Sequence, residues 1–170
     1  AASDVYKRQE QIGELALTVL ADREAFTRDL EGKKVVISAG GTHEPLDPVR
    51  YLGNASSGLQ GYALAEVAAQ RGAEVTLVAG VTENLPTPIG AEVVRVKTAR
   101  EMQQAVMEHA PTADVVVMAA AVADYRPAEV AASKMKKGSE ADLSTIQLTE
   151  NPDILAGVVE ARRRGAVSYT

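Results

Sequence analysis

Lys34–Ala39 reads KVVISA and stops at the pair Gly40–Gly41; after a long loop, Ser57–Arg71 reads SGLQGYALAEVAAQR and closes at Gly72, and Glu74–Ala79 follows as EVTLVA. The outer two runs are short, β-branched and mostly apolar, as strands buried on both faces are. The middle run gathers alanine and leucine on one helical face, opens with serine and ends at glycine, which are start and stop signals of a helix. Outward from this unit the alternation continues. Glu92–Lys97 (EVVRVK) predicts a third strand, Ala99–His109 a helix, Asp114–Ala120 (DVVVMAA) a fourth strand, Thr145–Thr149 a further short strand, and Asn151–Arg164 a helix opened by Pro152 and Asp153. Alternating strands and helices need crossover connections, so the fold class is α/β: a doubly wound, mostly parallel Rossmann-like sheet with helices on both faces. The pattern calls for another strand after the last helix, so the sheet is expected to be incomplete at its C-terminal end.

The composition suits such layers. The chain has 170 residues, 46% of them apolar, with 13 glycines, one phenylalanine and no tryptophan, enough for one close-packed domain core. Its longest apolar run, Val115–Ala123 (VVVMAAAVA), falls well short of the roughly 18 residues of a membrane-spanning helix. The absence of cysteine excludes disulfides, thiolate zinc sites and a cysteine nucleophile. A net charge of −5 argues against sequence-independent binding to nucleic acid or anionic lipid.

Both ends are set apart. Asp4–Gln9 (DVYKRQ) and the closing VSYT resemble translations of the two orientations of a transposon sequencing adapter, so residues 1–9 and 167–170 are expected to be foreign to the protein. Ile12, Leu15, Ala16, Val19 and Leu20 fall at helical spacing, and residues 10–31 read as an amphipathic connector.

In a doubly wound sheet, ligands bind beyond the carboxyl ends of the strands. The loop after the first strand, Gly40–Gly58 (GGTHEPLDPVRYLGNASSG), carries Glu44, Asp47, Arg50, Asn54 and a serine pair leading into a helix. Ser56, Ser57 and Gly58 could seat a phosphate or carboxylate at the helix start, or the serines could simply cap it. The glycines are adjacent and far from the helix, unlike the G-x-G-x-x-G fingerprint. The loop after the fourth strand begins with small residues, Met118–Ala121, that would let a flat ring approach the backbone. It continues through Asp124 and ends in Lys134–Lys137 (KMKK). In extended conformation Lys134 and Lys136 project to one side, either toward a triphosphate or into solvent. Asp124 reads as a ligand or as a loop cap. His43 and His109 stand apart from each other, and no Ser/His/Asp order or paired-carboxylate spacing emerges.

Taken together, SAGGTHEPLDPVRYLGNASSG, AAAVADYRP and KMKK resemble the phosphopantothenate-cysteine ligase (phosphopantothenoylcysteine synthetase) domain of bacterial bifunctional coenzyme A biosynthesis proteins, over Gly32 to about Arg163. The resemblance implies that residues 32–166 are the N-terminal part of a ligase domain. It also implies that residues 10–31 link that domain to a flavin-dependent decarboxylase domain, absent from this chain, where FMN would belong. CTP would activate 4'-phosphopantothenate as an acyl-cytidylate with Mg2+, and cysteine would then attack to form the amide. Carried over by motif, Asn54 and Lys134 are the catalytic pair. Arg50, Ser56, Ser57, Gly58, Ala120 and Ala121 bind substrate, while Gly40, Gly41, Met118, Ala119, Ala120, Asp124 and Lys134 surround the nucleotide. No metal ligand is identified. Leu59 stands where the family commonly has lysine. The implied partners are small molecules, without nucleic acid or membrane, and a homodimer or larger homo-oligomer of the intact protein in the cytoplasm.

Two other classes share the architecture. A nicotinamide-dependent Rossmann oxidoreductase would show the glycine fingerprint and an acid after the second strand, where Ala79 and Gly80 stand. A non-catalytic nucleotide-binding module would release no pyrophosphate.

Overall fold

The structure is a computed structural model that describes residues 12, 13, 16, 17, 20, 27–136 and 145–166. Residues 1–9 and 167–170, Lys137, and Leu15 and Val19 of the connector lie outside the described residues.

Four parallel strands form the central sheet: β1 (Lys34–Ala39), β4 (Glu74–Ala79), β5 (Ala91–Arg95) and β6 (Val115–Met118), in the order β5-β4-β1-β6. The register sets Ile37 opposite Leu77 on one side and Val117 on the other. Helix α1 (Leu59–Gln70) connects β1 to β4, α2 (Ala99–His109) connects β5 to β6, and α3 (Ile154–Ala166) closes the order. Strand pleating divides the core in two. Val35, Ile37, Ala39, Val75, Leu77 and Ala79 pack against Tyr62, Ala65 and Ala68 of α1. Val36 and Val78 face the other way, onto Met102, Ala105 and Val106 of α2 and Ile154 and Val158 of α3. Helices therefore cover both faces, as the alternation predicts.

Local chemistry sets the element ends. Thr98 and Glu101 form a reciprocal capping box at the start of α2, with Thr98 Oγ1 accepting the Glu101 N–H at 3.2 Å. Asp153 caps α3 by accepting the Ala156 N–H at 2.9 Å, which moves the helix start from the expected Asn151 to Ile154. The start expected at Ser57 moves as well. Gly58 is the cap of α1, with φ +80°, and no side chain caps it; Ser57 Oγ lies a long 3.4 Å from the Leu59 N–H. A Cβ at Gly58 would also sit 2.5 Å from Thr82 Cγ2, so both conformation and space require glycine there. The third strand covers Ala91–Arg95 rather than Glu92–Lys97, because the Lys97 N–H turns to Glu101 at 2.6 Å. The fourth is limited to Val115–Met118. Asp114 instead ties the sheet's amino edge, accepting from the Lys34 N–H at 2.8 Å, and Ala119 and Ala120 turn toward Ser38.

Two antiparallel ribbons lie outside the expected pattern. The long first loop folds into a hairpin, β2 (His43–Pro45) with β3 (Tyr51–Gly53). The short strand expected at Thr145–Thr149 is β8 (Leu148–Glu150), which pairs with β7 (Tyr125–Pro127) and not with the central sheet. Both ribbons sit in the loops at the carboxyl ends of β1 and β6. Between those strands the winding order reverses, which is where doubly wound folds bind ligands.

Candidate functional site

Gly41 joins the carboxyl ends of β4, β1 and β6. It bridges Val81 on one side and Ala121 on the other. A Cβ on Gly41 would lie 2.5 Å from the Asn54 carbonyl oxygen, so the hairpin exit packs directly on the end of β1. Two buried hydroxyls brace the far side. Ser38 Oγ accepts the Ala119 and Ala120 N–H groups at 3.1 and 3.2 Å, and Thr42 Oγ1 accepts the Ala123 N–H at 2.9 Å. The backbone donors of Ala119 and Ala120 are thereby committed to Ser38, so a ring approaching this wall would meet methyl groups.

Beyond that wall lies a cavity of about 410 Å³, lined by Met118, Ala120, Val122, Asp124 and Tyr125 on one side and by Asn151 and the start of α3 on the other. Asn151 joins the two sides. Its Nδ2 donates to Ala123 O at 2.8 Å, its N–H to Asp124 O at 2.7 Å, and its Oδ1 accepts from Arg126 at 3.1 Å. Of the nucleotide-side residues read from sequence, Met118, Ala120 and Asp124 line this cavity. Asn151 was not singled out there, since a single asparagine before a proline reads as a helix start.

A second cavity, about 450 Å³, opens at the start of α1 and is lined by His43, Asn54, Ser56, Ser57, Thr82 and Glu83. Asn54 lies between the two cavities, with Nδ2 donating to Val122 O at 3.2 Å. An amide carries two N–H donors and an acceptor oxygen, so capacity remains for another partner. The His43 ring stacks on Tyr51, with centroids 3.6 Å apart. Burial and, next, the positive charge of Lys97 hold the His43 pKa below its ordinary value, while Glu44 pulls it upward.

Arg50 and Lys134 line neither cavity. Arg50 pairs with Asp47 at 3.2 Å and donates to Met135 O at 2.5 Å, while Lys134 is exposed beside Met135. Arg50 therefore binds the lysine segment itself. No group of three or more metal-binding side chains occurs among the described residues, and no helix among them is long and apolar enough to cross a membrane.

A parallel sheet in this order, with two cavities flanking the reversal between β1 and β6, defines a Rossmann-like α/β domain. Residues 30–169 match the family described as the DNA/pantothenate metabolism flavoprotein C-terminal domain, and the chain belongs to that family. It is 58% identical over 156 residues to the coenzyme A biosynthesis bifunctional protein CoaBC of Mycobacterium tuberculosis, covering 92% of this chain and 37% of the relative's length. It is 54% identical over 129 residues to the protein of the same name from Vibrio parahaemolyticus, covering 76% of this chain and 32% of the relative. The crystal structure of the C-terminal domain of a coenzyme A biosynthesis bifunctional protein CoaBC superposes with a TM-score of 0.67 at 43% identity, over 79% of this chain and 61% of that one. The chain thus spans little more than a third of the length of the first of these relatives.

Proposed function

We propose that this chain carries the nucleotide and acyl sites of a CTP-dependent phosphopantothenate-cysteine ligase, acting in coenzyme A biosynthesis within a longer protein. The carrying observation is the place of Asn54, on the wall between a cavity at a helix start and a cavity lined by small apolar residues. In the first step the carboxylate of 4'-phosphopantothenate attacks the α-phosphorus of CTP, and pyrophosphate leaves. In the second, the cysteine amine attacks the acyl carbon, CMP leaves and the amine gives up a proton. The first cavity accommodates a cytosine ring against Met118 and Ala120. The second presents Ser56, Ser57 and the amino end of α1 to an anion. Asn54 donates to the acyl oxygen, where negative charge develops in the second step. Mg2+ would arrive with the triphosphate, whose charge Lys134 helps balance. FMN would serve a decarboxylase domain outside these residues.

The apolar side chains exposed on the ribbons, Tyr51 and Leu52 on one and Tyr125 and Leu148 on the other, support a homodimer. The cytoplasm is the proposed location. An oxidoreductase reading is disfavoured by the end of β4, where Ala79 leads to Gly80 and no acid waits for a ribose.

The test is pyrophosphate release by the complete protein supplied with CTP, 4'-phosphopantothenate, cysteine and Mg2+. Release that requires both CTP and 4'-phosphopantothenate supports the reading. No release, with thermal stabilisation by NAD in place of CTP, overturns it.

A further inference from the structure

We infer that Asp47 is a positioning residue for Lys134: its carboxylate and Arg50 together grip Met135 and so fix where the neighbouring ammonium group points. The inference deepens the ligase reading and rests on it for the role of Lys134.

Asp47 is 3% exposed, in the turn between β2 and β3. Its two oxygens have separate tasks. Oδ1 accepts the N–H groups of Val49 at 2.9 Å and Arg50 at 2.8 Å, which shapes the turn. Oδ2 reaches 88 positions along the chain to accept the Met135 N–H at 3.2 Å, and pairs with Arg50 Nε at the same distance. Arg50 completes the grip by donating to Met135 O. A turn alone needs one oxygen; the second holds the lysine segment. Burial pushes the Asp47 carboxyl up, but the N–H groups of Val49, Met135 and Arg50 and the Arg50 charge outweigh it and keep the group ionised.

The same turn anchors the segment again where Ala131 donates to Leu46 O at 3.0 Å. In extended backbone the side chain of Met135 points opposite to those on either side. Met135 is half-buried, and Lys134 and Lys136 on either side of it are exposed. The hairpin that carries Asp47 and Arg50 also leads, through β3, to Asn54. One buried acid thus sets the lysine segment and the Asn54 loop in register with each other, although 80 positions separate Asn54 from Lys134.

The test compares Asp47→Asn, Lys134→Gln and the double variant in the complete protein, together with Met135→Pro. The proline removes the N–H that Oδ2 accepts but leaves both turn bonds to Oδ1, so it serves even where Asp47→Asn folds poorly. Tryptic cleavage after Lys136, a bond that neither substitution alters, should be roughly tenfold faster in Asp47→Asn and Met135→Pro, because the segment opens more often. The kcat/KM for CTP should fall about tenfold in each, and the double variant should be no slower than Lys134→Gln alone, since a misplaced lysine and a missing one fail at the same step. Unchanged cleavage overturns the grip. Losses that add in the double variant overturn the link to Lys134. If the wild-type protein releases no pyrophosphate from CTP, the ligase reading falls, and the cleavage rates alone then decide the grip.

Discussion

Glu44 Oε1 accepts the backbone N–H of Ala99 at 2.8 Å, so an acid of the site hairpin caps the first turn of α2. Glu44 is 2% exposed, and the donor it satisfies is one that a helix leaves unpaired at its start. The bond ties the hairpin to a helix that packs under the sheet. Glu44→Ala should therefore lower stability by about 1–3 kcal/mol, the range for a buried donor left without its partner. Glu44→Gln, which keeps an acceptor oxygen, should lose less. Urea unfolding of the three proteins measures both.

Contacts of this kind explain how far the sequence could be read. β1, β4 and α2 were legible to the residue: Lys34–Ala39 and Glu74–Ala79 are β-branched runs between breakers, and Ala99–His109 follows a clear helical period. The β2–β3 hairpin was not legible. Its strands are three residues each, one contains Pro45, and side chains far along the chain hold it. Ser38, Thr42 and Asn151 are ordinary residues in sequence and acquire their roles only when β1 and β6 lie side by side. Conversely, Arg50 stands in a conspicuous motif, and its guanidinium nonetheless engages Asp47 and Met135.

Asn54→Asp separates the two chemical steps. A carboxylate could not donate to Val122 O as the amide does, and it would oppose the charge growing on the acyl oxygen. Pyrophosphate release in the first turnover should remain while amide formation falls by about 10²–10³-fold, the range for loss of one oxyanion donor. Rapid-quench assays of both products measure this split. Amide formation at the wild-type rate would remove Asn54 from the second step.

Leu59 is the first residue of α1 and 57% exposed, two positions after Ser57, which lines the second cavity. Leu59→Lys would add a cation beside the proposed anion seat. The KM for 4'-phosphopantothenate should fall several-fold, most clearly at low salt. The same cation opposes the helix dipole at its amino end, so stability should drop by a few tenths of a kcal/mol, about the size of an exposed terminal charge effect. Kinetics at two ionic strengths, with thermal unfolding, test both.

His43 supplies a pH signature independent of turnover. Its ring lies on Tyr51, with Lys97 and Glu44 as the charges that act on it and Glu83 on the wall of the same cavity. Burial is the larger cause of its lowered pKa and Lys97 the second, so the folded protein holds this proton less tightly than the unfolded chain, which takes it up near 6.5. Between the folded and unfolded values the unfolded state binds more protons. Stability from this group is accordingly complete above pH 6.5 and declines as the pH falls toward the folded value. Two-dimensional NMR should place the His43 midpoint below 6.5. Lys97→Gln should raise it only part of the way, because the burial remains. His43→Gln should flatten the fall in urea-measured stability between about pH 7 and pH 5, the range in which histidine titrates. A midpoint at or above 6.5 in the wild type would show that the stacked ring is better solvated than its place against Tyr51 implies.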